Sequence, residues 1–219
     1  MNTLILDCSA GMNIHLLCEE KIYSHCDYNQ KKHTDELLLA VDKVLNEANI
    51  SVKEIDKICV CIGPGSFTGI RVAVSIAKGL SIGTGARIYT CSNFDIYSYK
   101  NHKNIIYILE GFSTNVYVRI DDDNQKDFCV DINSFIDEIK SKYKDYKILV
   151  QSEKLQNTLK NSEILSKIAE NNIILYFKDK IQTDNYTIIN QISPIYLRAS
   201  QAELEREEKI KKGLINDDK

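Results

Sequence analysis

The 219-residue sequence has no tryptophan and only two prolines, and it lacks the features that mark membrane and secreted proteins. No apolar run approaches the roughly 20 residues that a membrane-spanning helix needs. The first residues, Met1 to Asp7, have neither the basic region nor the long apolar core of a signal peptide. We therefore expect a cytoplasmic protein that makes no contact with a membrane.

Disulfide and zinc-ribbon frameworks are also missing. The chain has seven cysteines, an odd number, and no C-x-x-C pair occurs among them. Cys59 and Cys61 alternate with apolar residues, which is typical of buried positions on one face of a strand. We interpret the cysteines as free thiols in a reducing compartment.

No excess of basic charge is present. The 28 basic and 31 acidic side chains give a net charge of -3 at pH 7 and are spread over both halves of the chain. A protein that binds nucleic acid by itself normally has a basic patch or excess, so we expect any such contact to require a partner. The 43% of apolar residues excludes a disordered chain and predicts a packed core.

The first half of the chain alternates between strand and helix patterns. Three short strands are predicted at Leu4 to Cys8, His15 to Cys18 and Lys21 to Tyr28, which indicates an antiparallel meander. Two strand-helix repeats follow, and strands separated by helices pair in parallel. This order predicts an α/β lobe with helices flanking a mixed sheet, as in ribonuclease-H-like and actin-like ATPase folds.

The second half repeats this pattern loosely. We predict a first lobe at residues 1–100 and a smaller lobe, with a terminal tail, at residues 101–219. The elements predicted in the second lobe are strands at 105–110, 116–121, 147–150 and 173–177 and helices at 131–140 and 159–169. Residues 202–219 mix acidic and basic side chains, which is typical of a solvated end.

Glycine is concentrated in one region. Of the nine glycines, six lie between residues 63 and 85, and three of these are in Gly63 to Gly69, between a predicted strand and a predicted helix. Free amides at a helix start can hold an anion, so Gly65 and Ser66 are candidate cofactor-binding residues. The spacing matches neither G-x-G-x-x-G nor the P-loop. A tight turn that packs the helix closely on the sheet is the alternative.

The segment Gly63 to Arg71, followed by Ile76 to Leu80, resembles the signature of the TsaB (YeaZ) family, a subunit of the bacterial tRNA threonylcarbamoyladenosine machinery. The stretches Ile5 to Ser9, His33-Thr34 and Pro194 to Arg198 agree with this family in order and spacing. The resemblance is strong over residues 1–100 and looser over residues 101–200.

This resemblance implies an actin-like ATPase fold with two related lobes and no catalytic residue. It implies a scaffold for the paralogous transferase TsaD, joined by the ATPase TsaE, in forming N6-threonylcarbamoyladenosine at position 37 of tRNA. The complex would use ATP, magnesium and threonylcarbamoyl adenylate, and tRNA would bind only through the complex. The chain alone is expected to bind no cofactor and to form a homodimer. A nucleotide-binding ATPase or transferase that acts alone is the alternative, and a glycoprotease activity is not expected.

Asp7 and His33 bear on that choice. Asp7 ends the first predicted strand, where actin-like ATPases place an acid near the nucleotide, although hydrogen bonding to turn amides explains it equally well. The paralogue binds its metal with an H-x-x-x-H pair, whereas here Leu37 stands four residues after His33, so we predict no metal site. Ser66 lacks the G-x-S-x-G spacing, and Cys8 would need a neighbouring base to act as a nucleophile.

The first two predicted helices have apolar residues on more than one side. This indicates that one side packs on the sheet while another binds a partner, and a helix buried wholly within its own lobe is the alternative. Arg71 lies near a helix start, where a cation is unfavourable, so an acidic or ligand partner is expected for it. The predicted partner interface comprises His33, Leu37, Leu38, Val41, Leu45, Phe67, Thr68, Ile70, Arg71 and Val74.

Overall fold

The chain forms two five-stranded mixed sheets, each flanked by helices. The computed structural model describes residues 1–28, 33–101, 103–183 and 185–197, and for residues 33–35 and 166–171 it describes the backbone only. The strands are β1 Asn2–Asp7, β2 Met12–Cys18, β3 Lys21–Asp27, β4 Lys57–Cys61, β5 Arg87–Cys91, β6 Ile105–Glu110, β7 Asn115–Asp121, β8 Lys126–Asp131, β9 Lys147–Val150 and β10 Glu163–Ile164. The α-helices are α1 His33–Ala48, α2 Phe67–Thr84, α3 Asn93–Tyr97, α4 Ile132–Lys142, α5 Glu153–Thr158 and α6 Ser166–Lys180.

The two sheets have the same topology. The first has the strand order β3-β2-β1-β4-β5, and the second, read in the same direction, has the order β8-β7-β6-β9-β10. In each sheet the central strand, β1 or β6, pairs antiparallel with the next strand and parallel with β4 or β9. The chain therefore contains the same lobe twice, and the predicted actin-like ATPase fold is confirmed.

The elements stack as five layers, helices alternating with sheets. Helices α1 and α2 cover one face of the first sheet, and α4 and α5 cover one face of the second. Helices α3 and α6 form the middle layer. Ile96 and Phe177 of this layer pack on the first sheet, whereas Phe94 and Tyr97 pack on the second. Successive side chains of a strand point to opposite faces, so both faces of each sheet are buried.

The predicted strand at 173–177 is wrong, because these residues lie in α6. An unbroken apolar run fits either element, but Ile173, Phe177 and Ile181 recur at helical spacing and pack together on the first sheet. The helix predicted at 159–169 is replaced by a turn after α5, by β10 and by the start of α6. The structure thus assigns α6 to the first sheet, although the sequence prediction placed it with the second lobe.

The end of the described chain also returns to the first lobe. The N–H of Ile195 donates to the carbonyl of Ile62 at 2.8 Å, and Ile192 belongs to the core under α1 and α2. The predicted tail at 202–219 lies outside the described residues. Strand β8 was not predicted, because only Phe128 and Val130 mark its inner face. Helix α3 is capped by Ser92 and ends at Tyr97.

The strand cysteines occupy the predicted positions. Cys59 and Cys61 are fully buried on one face of β4, next to Tyr89 and the middle helical layer. They are core residues, as their alternation in the sequence predicts. Across the described ranges, no helix has both the length and the apolar character that crossing a membrane requires.

Candidate functional site

A cleft of about 790 Å³ opens between the two lobes, beside the carboxyl ends of β1 and β6. Asp7, Asn93 and Tyr97 line it on the side of the first lobe, and Glu110 and Ser152 line it on the side of the second. Ligands of open α/β sheets bind beyond the carboxyl ends of the strands. The cleft is therefore the candidate ligand-binding site of this fold.

Asp7 lies at the floor of this cleft and is only 8% exposed. Its carboxylate accepts the N–H of Ser9 at 2.9 Å and the hydroxyl of Ser9 at 2.6 Å. Burial raises the pKa of Asp7 above its ordinary value, and the hydrogen bonds from Ser9 oppose that effect. These contacts are those of an acid bonded within its own turn, and a role of Asp7 toward a nucleotide stays a prediction.

Asn93 connects the strand turn, the glycine loop and β4 from the start of α3. Its side-chain amide donates to the carbonyl of Pro64 at 2.6 Å. Its Oδ1 lies 3.1 Å from the Ser9 hydroxyl and 3.2 Å from the Cys61 sulfur. The residue is 1% exposed. Sequence reasoning missed Asn93, since a single asparagine after a helix cap gives no functional signal.

The glycine loop packs directly on the turn after β1. The N–H of Ser66 donates to the carbonyl of Ser9 at 2.7 Å, and the N–H of Gly69 donates to the Ser66 hydroxyl at 3.2 Å. A Cβ at Gly65 would lie 2.4 Å from the Ser9 carbonyl oxygen, and one at Gly69 would lie 2.2 Å from that of Cys8. The amides of Ser66 and Gly69 thus bond within the chain, which supports the tight turn over a phosphate cradle.

Glu110 occupies in the second lobe the position that Asp7 occupies in the first, at the end of the central strand. The hydroxyl of Ser152 donates to its carboxylate, and the N–H of Glu110 donates to Oε1 of Gln151 at 2.7 Å. Two acids, each bonded to a serine hydroxyl, therefore face one cleft. Sequence reasoning missed Glu110, and the signal that could have found it is the repeated strand order.

Aromatic rings contribute much of the cleft wall. The aromatic residues that line it are Tyr28, Phe67, Tyr97, Phe112 and Tyr117. Within the described parts of the chain, no lysine or arginine lines the cleft. Carboxylates, amides, hydroxyls and rings suit a ligand with hydrogen-bond donors or a planar ring better than a bare phosphate group.

The cysteines near the cleft are poor nucleophiles. Burial raises the pKa of the Cys8 thiol, and the nearby charge of Asp7 raises it further. Burial likewise raises the pKa of Cys61 and of Cys91. The thiolate is the reactive form of cysteine, so these side chains act as core residues.

Arg71 contacts aromatic residues instead of the acidic or ligand partner that its position predicted. Its Nε donates to the Tyr196 hydroxyl at 2.8 Å, and its guanidinium carbon lies 3.9 Å from the ring centre of Phe67. The two rings are 5.2 Å apart. Arg71 thereby fastens the C-terminal segment to the start of α2 through a hydrogen bond and cation–π contacts.

Half of the predicted partner interface is buried inside the first lobe. Leu37, Val41, Leu45, Ile70 and Val74 are between 0 and 5% exposed and pack in the core between the helices and the first sheet. These positions form the sheet-facing sides of α1 and α2. The structure therefore corrects their assignment as contact residues, because the sequence pattern alone did not separate the two sides of each helix.

The other predicted interface residues with described side chains are exposed. Leu38 is 54% exposed and Phe67 is 37% exposed, and Thr68 and Arg71 also face solvent. The side chain of His33 lies outside the described ones, so its predicted role stays a prediction. Among the residues that the structure describes, no group of three side chains is placed to hold a metal ion.

Helices α1 and α2 together present a surface that we name the α1–α2 face. It consists of Leu38, Leu39, Ser75, Gly79, Ile82 and Gly83. Leu39 is 66% exposed and Ile82 is 74% exposed, and neither was in the predicted interface. A Cβ added at Gly79 or at Gly83 would meet nothing within 4 Å. Beyond Arg71, the exposed positions of α2 are therefore uncharged, and the helix surface is open at its two glycines.

The comparison with protein families agrees with the fold. The family model described as TsaD, tRNA N6-adenosine threonylcarbamoyltransferase, matches residues 21–162, which is more than half of the chain. The chain belongs to this family. The matched region runs from β3 to α5 and includes α1, α2 and the glycine loop.

Several relatives of this chain are TsaB proteins. The chain is 25% identical over 218 residues to the tRNA threonylcarbamoyladenosine biosynthesis protein TsaB of Buchnera aphidicola subsp. Acyrthosiphon pisum, covering 90% of this chain and 99% of the relative. It is 37% identical over 79 residues to TsaB of Buchnera aphidicola subsp. Schizaphis graminum, an alignment that spans only 38% of that relative. YeaZ from Pseudomonas aeruginosa has the same fold, with a TM-score of 0.70, 18% identity and coverage of 90% of this chain and 99% of that one. The resemblance to the TsaB (YeaZ) family is confirmed.

Proposed function

We propose that this chain is a non-catalytic scaffold subunit in the formation of N6-threonylcarbamoyladenosine at position 37 of tRNA. It binds a TsaD-type transferase, and a TsaE-type ATPase joins the pair. The complex uses ATP, magnesium and threonylcarbamoyl adenylate, and this chain alone binds none of them. The α1–α2 face is the observation that carries the proposal, and the names of the TsaB relatives support the pathway.

The α1–α2 face has the composition of an interface. A surface helix normally turns charged residues to solvent, whereas the exposed positions of α2 beyond Arg71 are Ser75, Gly79, Ile82 and Gly83. Each glycine inside a helix destabilises it by about 1 kcal/mol relative to alanine. The open space above both glycines lets the backbone of a partner helix approach closely, which explains why small residues suit these positions.

The family match indicates what kind of partner fits this face. A model of the transferase family covers α1 and α2 of this chain, so a TsaD-type protein has the same helix pair. Two such pairs can pack face to face about an approximate two-fold axis. The same geometry joins two copies of this chain when the transferase is absent, which is our proposal for a homodimer.

Charge substitution tests the binding surface. Leu38→Glu and Leu39→Glu place a carboxylate in the proposed contact, and burying a leucine contributes about 1.5–3 kcal/mol. We expect each variant to weaken TsaD binding by about tenfold or more in isothermal titration calorimetry. Leu175→Glu is the matched control, because Leu175 is a 46% exposed leucine on α6. Normal binding by the Leu38 and Leu39 variants would refute the assigned face.

Reconstitution tests the function itself. Modification of tRNA is measured with TsaD, TsaE, ATP, magnesium and the adenylate, with and without this chain. We expect modification only when the chain is present, and no turnover of ATP or adenylate by the chain alone. Turnover by the isolated chain, or full modification without it, would exclude a scaffold role.

A nucleotide-binding function is the second candidate, and the cleft between the lobes favours it. Asp7 and Glu110 lie at its two strand ends, where an actin-like ATPase holds its nucleotide. Calorimetry with ATP and magnesium tests this function on the chain alone. Micromolar binding of ATP would establish a nucleotide-binding function if Asp7→Asn and Glu110→Gln abolish it. An absence of binding heat at millimolar ATP would exclude this function.

A further inference from the structure

Four cations lie over tyrosine rings on one part of the surface, at the opposite end of the first sheet from the cleft. We name this surface the tyrosine–lysine face. Its four pairs, with the distance from the cation to the ring centre, are Lys57 over Tyr89 at 5.5 Å, Arg87 over Tyr186 at 5.0 Å, Lys100 over Tyr99 at 4.9 Å and Lys180 over Tyr176 at 5.4 Å.

Direct contacts join the part of this face that comes from the turn after α3 to the part that comes from α6. The rings of Tyr99 and Tyr176 meet edge to face with their centres 5.5 Å apart. Nζ of Lys180 lies 3.2 Å from the hydroxyl of Tyr176 on the preceding turn of α6. Lys100 follows Tyr99 directly in the chain, so Lys100 and Lys180 flank this edge-to-face pair of rings.

The strand cations adjoin this cluster. Nζ of Lys57 donates to the carbonyl of Ile181 at 2.9 Å, one residue beyond Lys180. Lys57 and Arg87 are register partners at the starts of β4 and β5, and paired positions on neighbouring strands present their side chains to the same face. The four cations therefore belong to one continuous surface.

One of these cations, Lys100, has an acidic neighbour. Asp179 accepts the Tyr99 hydroxyl and lies 3.4 Å from Lys100. Asp56 adjoins Lys57, but its carboxylate accepts the N–H of Asn2 at 2.6 Å. In a chain with a net charge of -3, the fold thus brings Lys57, Arg87, Lys100 and Lys180 to one surface from segments that are far apart in the sequence.

We propose that the tyrosine–lysine face contacts tRNA, its cations binding backbone phosphates and the exposed ring of Tyr186 stacking on an unpaired base. The inference rests on the proposed function, which brings this chain to tRNA within the complex. Surfaces that bind RNA combine cations, which contact phosphates, with aromatic rings, which contact bases. An acidic protein as the ligand would need only the cations. A lysine that lies over a ring also has part of its motion already restricted, which lowers the entropy lost on binding.

The position of this face is compatible with assembly. Helices α1 and α2 cover one side of the first sheet, and α3 and α6 cover the other. A transferase on the α1–α2 face therefore leaves the tyrosine–lysine face free. The two contacts can form at the same time, as a scaffold that also orients its RNA requires.

A charge-matched pair of variants tests the proposal on the reconstituted complex. The test variant carries Lys57→Gln, Arg87→Gln, Lys100→Gln and Lys180→Gln, and the control carries Lys126→Gln, Lys140→Gln, Lys142→Gln and Lys144→Gln on exposed positions of the second lobe. Affinity for fluorescent tRNA is measured by anisotropy at several salt concentrations. We expect the test variant to bind about tenfold or more weakly and its salt slope to fall by about 3, from four lost phosphate contacts. The control should stay within about twofold of the unchanged complex.

Every outcome has a defined meaning. Equal losses in both variants would show a net-charge effect and overturn the proposal, as would unchanged affinity in the test variant. Lys100→Glu, at an exposed position, provides a single change that leaves the Lys57 contact to Ile181 intact, and it should also weaken tRNA binding. Stronger competition by polyglutamate than by unlabelled RNA would assign the face to an acidic protein instead.

The experiments distinguish an error in the proposed scaffold function from an error in the proposed tRNA contact. If the chain does not bind TsaD, the scaffold proposal falls, and tRNA binding is then measured on the chain alone. If the unchanged chain binds tRNA in a salt-dependent way and the test variant does not, the proposed RNA contact still holds. An absence of binding by the unchanged chain in that assay would overturn the inference as well.

Discussion

Two glycines of α2, Gly69 and Gly79, have different roles. Gly69 allows the start of α2 to touch the carbonyl of Cys8, where a Cβ would lie at 2.2 Å. Gly79 lies ten residues later on the open side of the helix, where a Cβ meets nothing. Position 69 has no room for a side chain because of a contact inside the chain. Position 79 has room for one, so glycine is useful there only if another molecule approaches closely.

Alanine at each position separates these roles. Gly69→Ala should lower the free energy of unfolding by about 2–3 kcal/mol, because a backbone carbonyl cannot move aside as a side chain can. Gly79→Ala should raise it by about 0.5–1 kcal/mol through helix propensity, while weakening binding to TsaD. Urea denaturation and calorimetry measure the two effects. A stabilised Gly79→Ala variant with normal binding would contradict close helix approach.

The carboxyl group of Asp7 gives a prediction with a definite pH dependence. Its pKa is raised in the folded chain, so this group favours folding less as pH rises from the unfolded value of about 3.9 through the folded one. Asp7→Asn removes the buried charge and leaves an oxygen that can accept from Ser9. We expect the variant to be more stable than the unchanged chain at pH 7, with the difference narrowing toward pH 4.

Denaturation of the two proteins at several pH values checks this prediction. Glu138→Gln on α4 provides a control carboxyl outside the cleft. If Asp7→Asn is less stable than the unchanged chain at pH 7, the ionised carboxylate of Asp7 stabilises the fold, and the prediction is wrong.

Between elements, one arginine links the lobes. Arg119 of β7 is 5% exposed, and its Nε and Nη2 donate to the two carboxylate oxygens of Asp127 on β8, each at 2.7 Å. Its Nη1 donates to Asp95 of α3 at 2.9 Å. Burial raises the pKa of Asp95, but hydrogen bonds from Ser92 and Arg119 outweigh it, and the pKa lies below its usual value.

Arg119→Met should lower the free energy of unfolding by about 2–3 kcal/mol at pH 7, because two partly buried carboxylates lose their cation. A depressed pKa gives stability that is present above the unfolded pKa and disappears as pH falls through the folded one. The difference between variant and unchanged chain should therefore shrink on acidification. Lys147→Met breaks an exposed ion pair with Glu163 and should cost less than about 1 kcal/mol. Equal effects of the two substitutions would contradict this account.

The sequence predicted correctly those strands and helices whose own residues show a clear alternation, a helical spacing or a cap. The meander from β1 to β3, the two parallel strands β4 and β5 and the Asp131-capped helix α4 all follow from alternation, helical spacing or a cap. The stretch at 173–177 failed, because five successive apolar residues have no period. What decided its state was the apolar face of the first sheet, some 80 residues earlier in the chain.

At the scale of the whole molecule, the cleft was the least predictable feature. Asp7 and the glycine loop stood out because strand ends and glycine clusters are visible in the sequence. Glu110 and Asn93 did not, since their significance comes from two lobes meeting at one opening. The tyrosine–lysine face is similar, because its cations become neighbours only through strand pairing and the return of α6.

The shared middle layer predicts that the lobes do not fold separately. A chain that ends at residue 165 lacks α6 and exposes the face of the first sheet that carries Ile5, Cys59 and Tyr89. We expect it to lose its cooperative thermal transition and to bind a hydrophobic dye, as loosely packed states do. A chain that ends at residue 197 keeps α6 and should unfold like the full chain. Cooperative unfolding of the shorter chain would favour a first lobe complete by residue 100.

The return of α6 also sets an order of events during protein synthesis. The last strand of the first sheet ends at Cys91, and α6 begins at Ser166, about 75 residues later. At the usual 5–20 residues per second, the ribosome needs roughly 4 to 15 s to make that interval. For that time the nascent first sheet has one face without its covering helix. Chaperone demand should therefore be greatest while the second lobe is being translated and should end when α6 leaves the exit tunnel.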